Sequence, residues 1–182
     1  SAYMSKHMKI ENPRVGLANI GSEPTKGREQ ELESYDRLSR APINFIGNVE
    51  GRDIPLGGAD VVVADGFTGN MILKTMEGMG KFFSMALKDM FKSGVSSSVG
   101  ALLMKNSLMA FKKKMDYTEY GGAPLLGTAK PVIKAHGASN ENAFFNAIRQ
   151  AKIFVETKVI DEISSALAEI KAGESEEDGQ AK

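Results

Sequence analysis

Four short segments of this chain gather the residue types that handle anions. They are Asn19-Ile-Gly-Ser-Glu-Pro-Thr-Lys-Gly27, Gly47-Asn-Val-Glu-Gly-Arg-Asp53, Asp65-Gly-Phe-Thr-Gly-Asn70 and His136-Gly-Ala-Ser-Asn140. Within or beside them Lys26, Arg52 and Lys74 can neutralise phosphate oxygens, while Asn48, Thr68, Ser139 and Asn140 offer hydrogen bonds. Gly66 and Gly69 would let backbone approach an anion closely. The third and fourth segments lead straight into helical patterns, whose unpaired N–H groups and positive dipole end suit a phosphate. Lys74 follows Asn70 by one helical turn, which makes that pair the most pointed of the candidates.

Each of these residues also has an ordinary use. Gly, Asn, Ser and Asp are turn and N-cap formers, and a lone Lys or Arg in a loop is commonly just solvated. Their concentration in four loops favours the anion reading. His136 is one of two histidines and stands at the end of an apolar strand pattern. No Asp or Glu at an identifying spacing marks it as an acid–base partner, so a structural role stands beside a catalytic one. Glu50, Asp53 and Asp65 serve equally as bases or as caps on sequence alone, and no metal site is expected.

The elements that must position these loops alternate. Arg14 to Ile20 is a short apolar run entered by Asn12-Pro13 and ended by Gly21, as a buried strand is punctuated. Residues 27–40 carry Leu32, Tyr35 and Leu38 at spacings of three, the pattern of an amphipathic helix. Ile43 to Ile46 and Asp60 to Ala64 are further strands. After Asn70, Met71, Ile72, Met76, Met79, Phe82, Phe83, Ala86 and Met90 recur at three and four, and a second helical run spans Val99 to Met115. The two runs predict an αα-hairpin closed by Gly94 to Ser98. Pro131 to Ala135 resembles a strand, Asn140 to Ile170 a long helix, and the acidic tail from 173 to 182 is expected to be disordered. Strands alternating with helices predict an α/β fold with a doubly wound, largely parallel sheet, binding loops lying beyond the strands' carboxyl ends.

Composition narrows the function. The 182 residues are 42% hydrophobic and 25% charged, an ordinary globular mixture sized for one domain, here residues 1–172. Lys plus Arg and Asp plus Glu both total 23, so no overall charge draws the chain to nucleic acid. The absence of Cys excludes disulfides, thiolate metal sites and an enzyme thioester. No stretch approaches the roughly 20 apolar residues of a membrane span, and the start is no signal peptide. It reads instead like the end of a helix, so the chain is expected to begin in mid-fold.

The segments Ile43-Asn-Phe-Ile-Gly-Asn-Val-Glu-Gly-Arg-Asp53 and Ala59-Asp-Val-Val-Val-Ala-Asp-Gly-Phe-Thr-Gly-Asn-Met-Ile-Leu-Lys-Thr75 closely resemble the acyl-acyl carrier protein:phosphate acyltransferase family, known as PlsX. Asn12-Pro-Arg-Val-Gly-Leu-Ala-Asn-Ile-Gly21, Gly121-Gly-Ala-Pro-Leu-Leu-Gly127 and His136 to Asn140 fall in the family's order, so the resemblance covers nearly everything from Tyr3 to Ile170. Family members are longer at the N-terminus, where a Gly-rich segment with a Gly-Gly-Asp motif helps build the site, and nothing like it is present here. A chain starting at Ser1 would lack half of the doubly wound sheet and part of the cleft. The resemblance implies a Rossmann-like fold similar to those of phosphotransacetylases and of isocitrate and isopropylmalate dehydrogenases. It also implies transfer of a fatty acyl group from acyl carrier protein to inorganic phosphate, without cofactor, for phospholipid synthesis.

Expected partners are acyl carrier protein, phosphate, a second copy of the chain, the membrane surface and the downstream glycerol-3-phosphate acyltransferase. The expected location is the cytoplasm, at the inner face of the membrane. A homodimer is expected through the hairpin 71–115, whose Phe82, Phe83, Met90, Leu103, Leu108 and Phe111 exceed what one sheet can cover. The hairpin tip, with Val99, Leu102 and Leu103 ringed by Lys88, Lys92 and Lys105, suits a lipid headgroup boundary or the dimer partner equally. Competing readings are an inactive fragment, a docking module for membrane or carrier protein, and a nicotinamide-dependent dehydrogenase. The last lacks a Gly-x-Gly-x-x-Gly fingerprint after a strand.

Overall fold

The computed structural model describes residues 1–114, 121–135, 137 and 139–180. Pro13, fully buried, feeds the chain into β1 (Val15–Asn19), whose Val15, Leu17 and Ala18 are also buried. β1 pairs in parallel with β2 (Phe45–Glu50) on one side and β3 (Val61–Val63) on the other. A central parallel strand is covered on both faces, which is why β1 reads as a continuous apolar run rather than an alternation. A Cβ at Gly16 would stand 2.6 Å from Val49 Cγ1, so β1 and β2 meet this closely only through glycine. At the sheet's entry edge Arg14 grips Asp60, its Nε donating to Oδ2 at 3.0 Å and its Nη2 to Oδ1 at 3.0 Å.

The crossover from β1 to β2 is α2 (Glu29–Arg40), which lays Tyr35 edge-on against Phe45 with ring centroids 5.1 Å apart. β2 lies further along the chain than the expected Ile43 to Ile46. Val15 pairs with Phe45 but Gly16 pairs with Gly47, so Ile46 is a bulge, and Gly47 at φ +90° lets the strand resume. Asn48 and Val49 are therefore buried strand residues rather than loop.

α3 (Gly66–Lys92) starts immediately after its cap Asp65, earlier than the expected start after Asn70. The turn that follows is confined to Ser93 and Gly94, because α4 (Val95–Leu103) begins at once and α5 (Lys105–Lys114) follows it across Met104. The expected pair of helices is thus three, with α4 packed on α3; Met115, the expected end, lies outside the described residues. Serine hydroxyls close the turn on the backbone: Ser93 Oγ donates to Met90 O at 2.8 Å and Ser98 Oγ to Gly94 O at 3.0 Å.

The expected strand at 131–135 survives as a two-residue ladder, β4 (Ala123–Pro124) with β5 (Ile133–Lys134), antiparallel and separate from the parallel sheet. β5 packs on α6 (Glu141–Glu156), which buries Ala143, Asn146, Ala147 and Phe154. The long helix expected from Asn140 breaks at Lys158, whose φ of +51° separates α6 from α7 (Val159–Gln180). α7 takes in most of the acidic stretch expected to be disordered. α1 (Ala2–Lys6) docks on α7, with Tyr3 stacked on His7 at 4.8 Å beside Phe154.

Candidate functional site

Because β1, β2 and β3 are parallel, with Asn19 opposite Glu50 and Leu17 opposite Val63, their carboxyl ends open on one rim. Three hydrogen bonds make that rim a single cluster. Asn19 Nδ2 closes the first loop on Lys26 O at 2.9 Å. Asn48 Nδ2 reaches from β2 to Glu23 O of that loop at 2.8 Å, while its buried Oδ1 has no hydrogen-bond partner among the described residues. Arg28 Nη2 then joins the loop to Asp65 Oδ2 at 3.1 Å.

Arg28 is the residue that sequence reasoning missed. It is the N-cap of α2, where Ser, Thr, Asp or Asn would be expected, and Glu31 three residues on accepts both its backbone N–H at 2.7 Å and its guanidinium. The acid at that spacing was the available signal, obscured by the unusual cap. One guanidinium therefore ties the start of α2 to the start of α3 while remaining largely exposed to water.

The Asp65 carboxylate is occupied as the cap of α3. Its Oδ1 accepts the N–H groups of Phe67 at 2.9 Å and Thr68 at 3.0 Å, and its Oδ2 accepts the Thr68 hydroxyl. These bonds, the Thr68 hydroxyl foremost, hold the carboxyl down to about 2, with Arg28 adding to the same effect. Gly66, Thr68 and Gly69 lie in the first turn of α3 rather than in a loop, and a Cβ at Gly66 would meet open space. The first turn's N–H groups thus already face a carboxylate, so an added anion must be met chiefly by the surrounding cations.

Among those, Lys26 is exposed on the first loop. Arg52 is exposed on the second and pairs with Glu50 at 3.0 Å. Lys74 Nζ lies 2.8 Å from Glu77 Oε2, and Asn70 is exposed one turn before it. Ser139 and Asn140 belong to the second sheet's connection instead. Asn140 caps α6 through Oδ1 and Ala143 N at 2.9 Å, and the two line a surface pocket with Glu141, Asn142 and Phe144. Among the described residues, that pocket includes none from the three-loop rim. His136 lies outside the described residues. Val99, Leu102 and Leu103 stand on α4, the last two 71% and 83% exposed. None of the described helices is long and apolar enough to cross a membrane.

A parallel, Rossmann-like sheet with a cation-bearing rim of cross-linked exit loops places the chain among α/β proteins, a class whose ligand crevices commonly lie beyond the strands' carboxyl ends. The chain belongs to the family described as "Fatty acid synthesis protein", matched over residues 1–162. It is 53% identical to a phosphate acyltransferase of Thermoanaerobacter pseudethanolicus, covering 91% of this chain and 50% of that protein. It is 54% identical to one of Lysinibacillus sphaericus over 93% and 51%, and 51% identical to one of Bacillus cereus over 92% and 51%. The chain spans about half the length of these curated relatives.

Proposed function

We propose that the protein containing this chain transfers a fatty acyl group from acyl carrier protein to inorganic phosphate, releasing acyl phosphate for phospholipid synthesis. The observation that carries this reading is the cross-linked rim of Lys26, Arg28, Arg52 and the Asp65–Asn70 turn in a chain more than half identical to phosphate acyltransferases. A phosphate oxygen attacks the thioester carbonyl carbon, the C–O bond forms, the tetrahedral oxyanion collapses, and the C–S bond breaks to release the carrier thiol. Phosphate is already nucleophilic, so the protein's work is to hold it, offset its charge and stabilise the oxyanion. With its carboxyl at about 2, Asp65 acts by fixing the loop, not by taking a proton. Lys74, Asn70 and His136 are assigned to catalysis, and Ser139 and Asn140 to binding phosphate or substrate.

The same reading includes a homodimer through α3 to α5 and a reversible membrane contact through Val99, Leu102 and Leu103 at the inner face of the cell membrane, with acyl phosphate passed to a glycerol-3-phosphate acyltransferase. The exposed apolar side chains of α3 and α4 support both contacts. The test is steady-state kinetics of the intact protein with Lys74→Ala and with Arg28→Ala. Each is expected to raise the phosphate KM about tenfold, the worth of one charge-assisted bond to phosphate, and to leave the acyl-donor KM unchanged. An unchanged phosphate KM in both variants removes this rim from the phosphate site.

A further inference from the structure

Away from the rim, α3 carries a second pattern. Lys74, Lys81, Lys88 and Lys92 follow one another at intervals of seven, seven and four, which at 3.6 residues per turn places them within about 40° on one side of the helix. All four are exposed. Lys74 pairs with Glu77, whereas Lys81, Lys88 and Lys92 make no ion pair among the described residues. The row starts one turn beyond Asn70 and runs about 27 Å to the end of α3 at 1.5 Å per residue. Ile72, Met76, Met79, Phe83 and Met90 lie about 140–200° round the helix from Lys74. An apolar partner on that side leaves the basic row in water.

We infer that the part of this row beyond Lys74, namely Lys81, Lys88 and Lys92, docks an acidic face of the protein that delivers the acyl group, an inference resting on the acyl-transfer reading above. A carrier that offers its cargo on a flexible arm must bind beside the reacting atoms, with the arm spanning the gap. Lys74 lies about 14 Å and Lys81 about 24 Å along the axis from Asp65, a separation suited to such an arm. Lysines seven apart repeat every 10 Å or so, the spacing at which acidic side chains recur on one face of a partner helix laid along α3. In a chain of zero net charge the row gives a local, one-sided field that orients an acidic partner and speeds its approach. A bilayer would be met differently, since a plane touches the α3–α4 turn and not a row leading away from it toward the rim.

The experiment measures binding of holo acyl carrier protein to the intact protein by calorimetry, beside flotation with phosphatidylglycerol vesicles. Lys81→Glu/Lys88→Glu is expected to weaken carrier binding at least about tenfold, as loss of two interfacial charges does, while the phosphate KM stays unchanged. Leu102→Glu/Leu103→Glu is expected to reduce flotation and spare carrier binding. Lys81→Gln/Lys88→Gln, a milder change, should lie between wild type and the reversal, and wild-type affinity should fall as salt rises. Carrier affinity within about twofold of wild type in the reversal variant, at the level of an exposed pair, overturns the docking surface and leaves the reaction standing. Loss of flotation with intact carrier binding assigns the row to the membrane and equally overturns it. Wild-type protein that binds no carrier at all overturns the acyl-transfer reading and this inference together.

Discussion

The parallel sheet and the α3–α5 arm are built on opposite terms. In the sheet Val15, Leu17, Ala18 and Val49 are buried, and side chains as distant in sequence as Arg14 and Asp60, or Arg28 and Asp65, are bonded to each other. Along α3 and α4 no residue is buried, and Phe82, Phe83, Met85, Met90, Leu102 and Leu103 are all about half exposed or more. A helix earns most of its stability from packing one face, so the sheet region stands on its own contacts while the arm is poised for contacts with something else. The proposed roles follow the same division: the rim proposed to hold phosphate is cross-linked, and the surfaces proposed for partners are exposed.

The sharpest break between the two regions comes from truncating one large side chain in each. Leu17, 3% exposed in the central strand, is expected to cost about 2–5 kcal/mol when replaced by Ala, the range for a buried leucine. Phe83, 49% exposed, should change the stability of the isolated chain by no more than about 0.5 kcal/mol on replacement by Ser, as at other surface positions. Urea unfolding of the two variants measures both. A cost for Phe83→Ser comparable to that of Leu17→Ala would mean that the arm is packed in solution, by a second copy or by another segment.

The next effect tests the rim alone. Asp65 titrates at about 2 in the folded chain against an ordinary aspartate value of 3.8, so its capping contribution is fully present above roughly pH 4 and is lost as pH falls toward 2. Asp65→Asn should therefore flatten the acid limb of the stability curve in that window. It should also remove the attachment of Arg28 while keeping a cap of similar geometry. Thermal melts of both proteins between pH 2 and 6, about the range that linkage requires, decide this. Parallel curves would show that the Thr68, Phe67 and Arg28 bonds do not hold the carboxylate.

Much of this division was legible beforehand. The Asn12-Pro13 entry and Gly21 exit marked β1, and the β-branched run marked β3. The three-and-four spacing marked α3, because these signals are local and periodic. What was not legible depended on tertiary pairing. Sequence ends β2 too early because Gly47-Asn48 carries turn composition, and only the bulge against Gly16 shows that the strand continues through it. The same composition reads Asn48 as a loop residue, whereas it is a buried strand residue whose Nδ2 donates to Glu23 O. The break between α6 and α7 falls at Lys158 in a left-handed conformation with neither Gly nor Pro to announce it. Arg28 escapes a sequence reading because Glu31 is its one local signal, obscured by the unusual cap, and its bond to an acid 37 residues away lies outside any local window.

A stabilising effect lies on the arm, and its sign separates the two regions most cleanly. Gly78 sits within α3, and a Cβ built there would meet nothing within 4 Å. Glycine in an exposed helix costs about 0.8–1.0 kcal/mol relative to Ala through lost backbone entropy, so Gly78→Ala should stabilise α3 by up to about that amount. Gly121 in the packed region is the counter-case. Its φ is +78° and a Cβ there would stand 2.3 Å from the backbone nitrogen of Ala147, so the same substitution must displace α6. Helicity by circular dichroism and urea unfolding of Gly78→Ala measure the gain. If Gly78→Ala instead destabilises the protein or lowers its self-association, backbone must approach α3 closely at that point in the assembled state, and Gly78 becomes part of the interface rather than a mere weak point in the helix.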